Sequence, residues 1–179
     1  MLLPQQPSDE ASAVGVTLRE AVASDEPFLW LMLFHAAHMA ADGARSPDEA
    51  REHPFLAKFV RAWGRPGDLG VIAEDRPDGR PLGAAWLRHL TGAEKSYPAV
   101  DDAYPELAIA VLPERTGSGI GRALLGRLLD LAHPHYPGIV LSVRADNPAR
   151  RLYERHGFVV SDEIVNRVGT HSYVMERRL

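Results

Sequence analysis

The sequence predicts a mixed α/β (α+β) domain, in which helices flank a mostly antiparallel sheet that is splayed between its fourth and fifth strands. Short apolar runs with strand-like alternation are separated by segments of helical periodicity, which is typical of this fold class. The strand ending at Val111 leads into Pro113 and a glycine-rich loop, so sheet pairing cannot continue there and main-chain groups are left free. A length of 179 residues suits a single domain with one hydrophobic core.

The first third of the chain combines one strand with two helical regions. Alternation of apolar and polar residues predicts a strand over residues 16–21. A helix follows over 27–41, because proline at position 27 suits the first turn and Asp42-Gly43 ends the pattern. A second helical region covers 47–63, interrupted near Pro54, since proline disfavours helix in the residue before it.

The middle of the chain predicts a hairpin followed by a loop. Residues 69–74 and 82–89 form its two strands, and the turn between them contains Asp78-Gly79. Residues 91–104 carry Gly and Pro breaks and scattered charges, so we expect a loop that covers a functional site.

The remaining elements alternate between strand and helix. Apolar runs predict strands over 106–111 and 139–143, and a helix with one apolar face covers the residues from 119 or 120 to 132. Asn147-Pro148 caps a short helix that ends at Gly157, which suits a left-handed helix C-terminus. Two antiparallel strands, 158–166 and 171–178, complete the chain.

The glycine-rich loop before the long helix has the chemistry of an anion site. Gly117, Gly119 and Gly121 allow tight turns and put no β-carbon between a ligand and the peptide amides. The first-turn amides and the helix dipole then favour a phosphate. Neither common template is met, because Arg122 replaces the third glycine of a Rossmann fingerprint and the lysine of a P-loop is absent. A nucleotide-binding protein that uses the loop differently stays an alternative.

Two flanking segments give the loop a family context. Val111-Leu-Pro-Glu precedes it, and a segment beginning Asn147-Pro-Ala-Arg-Arg-Leu-Tyr-Glu-Arg-His-Gly-Phe follows it. Together they resemble the GCN5-related N-acetyltransferase (GNAT) family, most closely over residues 106–158 and in element order over 16–179. The sequence departs from the family pattern at Thr116, which stands where the family usually has Arg or Gln, and at Asp146, where an asparagine is usual.

The resemblance implies a GNAT-type acyl-CoA N-acyltransferase fold and acetyl-CoA as the acyl-donor substrate, with its pyrophosphate in the glycine loop. It implies that Tyr153 lies beside the CoA sulfur and protonates the leaving thiolate. No metal is expected. The cofactor-binding residues implied in this way are Ala110, Val111, Arg115, Thr116, Gly117, Ser118, Gly119, Ile120, Gly121, Arg122 and Asn147.

An amine acceptor also needs a base. An alkylammonium of pKa about 10.4 is deprotonated in only about one molecule in 2,500 at pH 7, a cost of about 4.6 kcal/mol. Glu106 is our candidate base, although the usual family register falls on Pro105; His89 and Glu94 are reserves. We expect an aromatic acceptor pocket formed from Trp30, Phe34, His35, Trp63, Trp86 and His89.

Composition limits the partners and leaves two functional classes open on this fold. A net charge of −4 offers no broad attraction to nucleic acid or anionic membrane. The absence of cysteine excludes a thiol nucleophile, so the acceptor attacks the acyl group directly or through a non-thiol residue. We predict an N-acetyltransferase acting on an amine of a small molecule, peptide or protein. The alternative is a non-catalytic acyl-CoA-binding module or sensor. A homodimer is left open.

The ends and the location of the chain are also predicted. Residues 1–15 have too few apolar side chains to pack, so we expect a flexible leader before a single domain at 16–179. Without a targeting or membrane-spanning pattern, the expected location is the cytoplasm.

Overall fold

A computed structural model describes residues 15–179 of the chain. The predicted leader therefore lies outside the described residues except for Gly15. One seven-stranded sheet organises this part of the chain, with the strand order β1-β2-β3-β4-β5-β7-β6. The strands are β1 (Val16–Glu20), β2 (Leu69–Asp75), β3 (Pro81–Arg88), β4 (Glu106–Val111), β5 (Gly138–Arg144), β6 (Val159–Val165) and β7 (His171–Arg178).

The sheet divides at β4 and β5, which confirms the predicted splay. All other neighbouring strands pair antiparallel, whereas β4 and β5 are parallel and have a single registered pair, Glu106 with Val140. The Val140 N–H donates to the Pro105 carbonyl over 3.1 Å, after which the strands separate. Because backbone groups alternate along a strand, Ile109 and Val111 direct theirs toward the gap, where β5 offers no pairing.

The helices are α1 (Glu26–Ala36), α2 (Asp48–Glu52), α3 (Pro54–Ala57), α4 (Ile120–Ala132) and α5 (Arg150–Arg155). Helix α4 occupies the predicted range. No helix within residues 15–179 is both long and apolar enough to cross a membrane.

Two helical predictions were too long. Helix α1 ends at Ala36 rather than residue 41, because His38 adopts a left-handed conformation with φ of 55° that an α-helix cannot continue. The second region contains only α2 and α3, separated at His53-Pro54 as predicted. Turns follow α3 up to Ala62, which also has a φ of 55°.

Hydrophobic clusters cover both faces of the sheet. On one face α4 buries Ile120, Leu124 and Leu128 against β2 and β3. On the other face α1 and the segment after α3 pack over Trp86 of β3. The Trp86 indole and the buried Arg88 guanidinium both donate to the Phe59 carbonyl, over 2.9 and 3.4 Å, so this irregular segment is held at a fixed distance from β3.

Candidate active site

The gap between β4 and β5 opens into a cleft of about 1220 Å³. One wall is β4 with the glycine loop, and the other is the end of β5 with α5. The end of α1 and the turn between β6 and β7 also line it. The sheet therefore places strand edges, a helix N-terminus and several loops around one space.

The glycine loop, residues 117–121, forms a potential anion-binding site (the anion cradle) at the start of α4. Gly117 and Gly119 have φ of 79° and 86°, a region that glycine enters without strain, and Gly119 is the N-terminal cap residue. Within residues 15–179, the backbone N–H groups of residues 117–121 have no protein acceptor. These amides and the positive end of the helix dipole favour a negatively charged group.

Ten of the eleven predicted cofactor-binding residues line the cleft. The exception is Ser118, whose hydroxyl donates to the Arg115 carbonyl over 2.5 Å and so stabilises the loop from within. The residues that line it are Ala110, Val111, Arg115, Thr116, Gly117, Gly119, Ile120, Gly121, Arg122 and Asn147.

Two of the predicted polar contacts already have protein partners. Arg115 forms an ion pair with Asp75 at 3.3 Å. Asn147 accepts from the Ala149 N–H over 2.9 Å, and its amide lies 3.0 Å from Nε2 of His38. Asn147 therefore fixes the chain before α5 and the loop after α1 relative to each other, besides lining the cleft.

Tyr153 lines the cleft from α5 and is 7% exposed. Its ring packs edge-on against Phe158, with centroids 6.0 Å apart. Burial raises the pKa of the phenol well above its ordinary value, so the hydroxyl keeps its proton throughout the neutral range. That hydroxyl has no hydrogen-bond partner within residues 15–179. It can therefore form a hydrogen bond to a ligand in the cleft.

Glu106 lies beside the cleft but does not line it. The side chain is 3% exposed, and its Oε1 accepts from the Ser96 N–H over 2.7 Å. Its Oε2 and the Ser96 hydroxyl are buried without a hydrogen-bond partner among residues 15–179. Burial raises the pKa of Glu106, and Ser96 and the nearby Lys58 and Lys95 oppose that rise. Ser96 itself lines the cleft and separates the carboxylate from it.

The aromatic acceptor pocket was predicted with too many members. Trp30, Trp63 and Trp86 belong to the core cluster behind the sheet and do not line the cleft, whereas Phe34 and His35 do. The two reserve bases also lie elsewhere. The His89 ring bonds the Asp102 carbonyl over 2.7 Å on the surface, and Glu94 is exposed.

The structure adds a base candidate that sequence reasoning did not assign. His35 lines the cleft beside Phe34, and burial lowers the pKa of its imidazole, which keeps it neutral and able to accept a proton at pH 7. The helical spacing of Phe34, His35 and His38 was the available signal. That spacing alone does not distinguish a cleft face from a core face. Within residues 15–179 no group of three His, Asp or Glu side chains is arranged to hold a metal ion.

The end of the cleft opposite β4 carries an ion cluster that the sequence did not indicate. Asp42, in the loop after α1, accepts from Arg144 at the end of β5 over 2.5 Å and from Arg167 in the β6–β7 turn over 2.6 Å. Both arginines line the cleft. The partners are 102 and 125 residues apart in sequence, so no local pattern could have paired them.

An extended anionic thioester such as acetyl-CoA fits the residues of this cleft. Its phosphates match the unpartnered amides of residues 117–121, and a pantetheine arm, which carries amides, matches the free backbone groups of Ile109 and Val111. These features, a splayed mixed sheet with an anion cradle at the start of the helix after β4, define the GNAT class of acyltransferase folds.

Comparison with known proteins agrees with this class. A family model described as an acetyltransferase (GNAT) domain matches residues 66–160. A mycothiol acetyltransferase from Arthrobacter sp. is 31% identical over 84% of this chain and 44% of its own length. One from Kocuria rhizophila is 40% identical over 80% of this chain and 46% of its own length. The chain belongs to the GNAT acetyltransferase family.

Solved structures share the fold at lower identity. A chimera of spermidine N-acetyltransferase from Vibrio cholerae and hSSAT superposes with a TM-score of 0.63 at 24% identity, covering 92% of this chain and 95% of its own. A ribosomal-protein-alanine N-acetyltransferase from Brucella melitensis gives 0.67 at 20% identity, with 91% and 99% covered. By contrast, this chain spans less than half the length of the two curated relatives.

Proposed function

We propose that this chain is an acetyl-CoA-dependent N-acetyltransferase that acetylates a primary amine by direct attack. The observation that carries the proposal is the meeting, at one cleft, of the glycine loop and the buried phenol of Tyr153. Among residues 15–179, neither the backbone N–H groups of residues 117–121 nor the Tyr153 hydroxyl has a hydrogen-bond partner. The amides supply an anion site for the acyl donor, and the phenol supplies a proton donor. The family membership makes acetyl the expected acyl group.

The proposed reaction forms one C–N bond and breaks one C–S bond. The acetyl thioester supplies an activated acyl group, and the neutral acceptor amine attacks its carbonyl carbon. Tyr153 donates its hydroxyl proton to the departing sulfur, which leaves as the thiol. The proton lost by the amine passes to Glu106 through one water beside Ser96. Glu106 then releases this proton to solvent, and a proton from solvent restores Tyr153.

The environment of Glu106 supports its role as the base. Its Oε2 and the Ser96 hydroxyl are buried and have polar capacity to spare, so a water bridging them would connect the carboxylate with the cleft. A base works best when its pKa is near the operating pH, and burial moves the pKa of Glu106 in that direction. His35 is the second candidate, because it lines the cleft directly.

A screen of the purified chain with acetyl-CoA and a library of primary amines tests the proposal. We expect free CoA and one acetylated amine to appear in equal amounts, with the product identified by mass spectrometry. Boiled protein and acetyl-CoA without amine are the controls. If acetyl-CoA binds tightly and no amine of the library is acetylated, the chain is a binding module or sensor and the proposal is wrong.

A further inference from the structure

The charges around the cleft are of one sign. Among the described residues that line it there are four arginines and neither aspartate nor glutamate. Arg115 and Arg122 flank the glycine loop, next to the proposed phosphate site. Arg144 and Arg167 lie on the opposite wall, because β5 separates from β4 after Val140 and Arg144 ends β5. This second pair is held by the loop after α1 and makes no hydrogen bond to the glycine loop among residues 15–179.

The second pair is fixed in place by a single carboxylate. Both guanidiniums donate through Nη2 to the same oxygen of Asp42, and both also donate to the Ala37 carbonyl, over 3.4 Å from Arg144 and 2.7 Å from Arg167. The side chains are 21%, 20% and 14% exposed for Arg144, Arg167 and Asp42. Two positive charges therefore share one negative charge, and the cluster keeps a net charge of +1.

The nearby ionisable groups do not cancel this charge. His38 accepts a hydrogen bond from the Asn147 amide, and burial lowers the pKa of its imidazole, so it is neutral at pH 7. Asp146 is the next carboxylate. It is exposed, does not line the cleft, and has no ion pair or hydrogen bond within residues 15–179.

The two arginines also have donors to spare. A guanidinium has five N–H groups in a planar fork, and the bonds described above use only Nη2 of each. None of the remaining nitrogens is among the buried unpartnered atoms. A guanidinium binds a carboxylate with the best geometry, because the two oxygens of the carboxylate accept two parallel N–H bonds.

We propose that the acceptor amine of this enzyme carries a carboxylate, which Arg144 and Arg167 bind at the wall of the cleft opposite β4. The inference rests on the acetyltransferase function proposed above and narrows its substrate class. A polyamine is a poor acceptor by the same argument, because its further cations would face the arginines, and the described residues that line the cleft include no carboxylate. An oxyanion of the acyl donor is the other source of such a charge, and the test separates the two.

The test compares acceptors that differ only in the carboxylate. Glycylglycine and glycylglycinamide share an amine and a backbone, and spermidine serves as the polycation. Binding of each to the protein saturated with CoA is measured by calorimetry, and acetylation is measured in parallel with acetyl-CoA. We expect glycylglycine to exceed its amide by roughly tenfold or more in affinity and in kcat/KM, the scale of one charge-assisted hydrogen bond, and spermidine to be the weakest.

Two substitutions assign the preference to the arginines. Arg167→Gln and Arg144→Gln should each remove most of the preference for glycylglycine and leave the Kd for acetyl-CoA within about twofold. Arg127→Gln, on the outer face of α4 and paired with Glu20, should change neither quantity. The stability of each variant is checked by thermal unfolding, and Arg167, in an exposed turn, is the milder change.

The outcomes are separable. Equal binding of glycylglycine and its amide, or tighter binding of spermidine, overturns the inference. A large loss of acetyl-CoA affinity in Arg167→Gln also overturns it, because the arginines would then serve the acyl donor. If glycylglycine binds through Arg167 and no amine is acetylated, recognition of the carboxylate stands and the proposed function is the part that fails.

Discussion

Burial changes the acidity of the two proposed proton-transfer residues in the same direction. It raises the pKa of Tyr153, which keeps the phenol protonated at neutral pH and also makes it a weaker acid than a free phenol, so the site must favour proton transfer to the thiolate. It also raises the pKa of Glu106 toward the neutral range, which makes the carboxylate a stronger base than an exposed one. The same physical cause therefore keeps the phenol on α5 protonated and makes the carboxylate at the start of β4 more basic, on the two sides of the splay.

Replacing Tyr153 by phenylalanine should slow turnover more than it weakens binding. The ring and its edge-on contact with Phe158 are kept, and only the proton donor is lost. We expect kcat to fall by about 10² or more, or roughly 2.7 kcal/mol in the barrier, with little change in KM for acetyl-CoA. Steady-state kinetics with an acceptor from the amine screen measures both.

Tyr136→Phe is the matched control for this change. Its hydroxyl donates to the Gly67 carbonyl over 2.5 Å, away from the cleft, so kcat should stay near the wild-type value. Equal kcat for wild type and Tyr153→Phe, with chemistry shown to be rate-limiting, would remove Tyr153 from the mechanism.

Replacing Glu106 by glutamine should separate activity from stability. A buried carboxylate with a raised pKa is better tolerated protonated, so wild type loses stability relative to the variant as pH rises from the ordinary glutamate pKa to the raised value. We expect Glu106→Gln to be more stable than wild type at pH 8, with the difference vanishing at pH 4. We also expect kcat to fall by about 10² or more. Urea unfolding and kinetics measure the two effects.

The exposed Glu94 provides the comparison. Glu94→Gln should leave kcat unchanged, since the side chain is exposed and does not line the cleft. If Glu106→Gln retains wild-type kcat, Glu106 is not the base, and His35 becomes the group to replace. An acidic limb of kcat/KM below the ordinary histidine pKa would then be expected, because burial lowers the pKa of His35.

At the scale of elements, local patterns predicted what depends on neighbouring residues. The strand, glycine loop and helix between Glu106 and Ala132 are specified within one continuous segment, and α4 begins where the glycines indicate. The end of α1 was missed because the helical pattern continues through His38. The left-handed conformation of His38 occurs where the ring contacts Asn147 and where Asp42, four residues later, pairs with Arg144. Both contacts are tertiary.

The candidate site shows the same division between local and distant information. A sequence motif selected eleven candidate cofactor residues, and ten of them line the cleft. The burial of Glu106 behind Ser96 depends on how the predicted loop 91–104 folds over β4. The binding of Arg144 and Arg167 to the same carboxylate of Asp42 depends on the loop after α1, the end of β5 and the β6–β7 turn, which are distant in the chain. Sequence periodicity describes neighbouring residues and carries no information about contacts between distant segments. These features therefore could not be predicted.

Substituting Gly121 by valine tests the loop as the phosphate cradle. Gly121 is not in the left-handed region, and a β-carbon there would meet only ordinary contacts, Leu152 at 3.8 Å and Val111 at 3.9 Å. The fold should therefore persist, while the branched side chain enters the cleft and blocks the approach to several amides. Each such bond to a charged group contributes roughly 1.5–3 kcal/mol, so the Kd for acetyl-CoA should rise tenfold or more.

Gly126→Val makes the same chemical change in the same helix away from the cleft. A β-carbon at Gly126 meets nothing within 4 Å among residues 15–179, and the Kd of Gly126→Val for acetyl-CoA should match wild type. Gly119 is a less suitable position, since its φ of 86° would strain any side chain. An unchanged Kd in a folded Gly121→Val protein, measured by calorimetry, would mean that the loop does not hold the phosphates.

On the scale of the whole molecule, the splay leaves the two parts of the sheet weakly connected at β4 and β5. A single pair, Glu106 with Val140, joins the strands, whereas each antiparallel neighbour pair has five or more registered pairs. The loop after α1 adds ion pairs from Asp42 to Arg144 and Arg167. A ligand lying in the gap would contact both parts at once.

Acetyl-CoA should therefore stabilise the chain as a whole and protect amides on both sides of the gap. At a concentration 100 times Kd, binding adds about 2.7 kcal/mol, which corresponds to a rise in Tm of roughly 5–10 °C for a chain of this size. Hydrogen exchange should slow at Ile109, at Val111 and over residues 117–121, whose N–H groups have no protein acceptor from another strand or helix in the described part of the chain. Gly121→Val should lose most of the Tm shift at the same concentration, whereas Gly126→Val should keep it. Protection confined to surfaces outside the cleft, with residues 117–121 still exchanging freely, would place the acyl donor elsewhere. That result would contradict the prediction that the ligand bridges the two parts of the sheet.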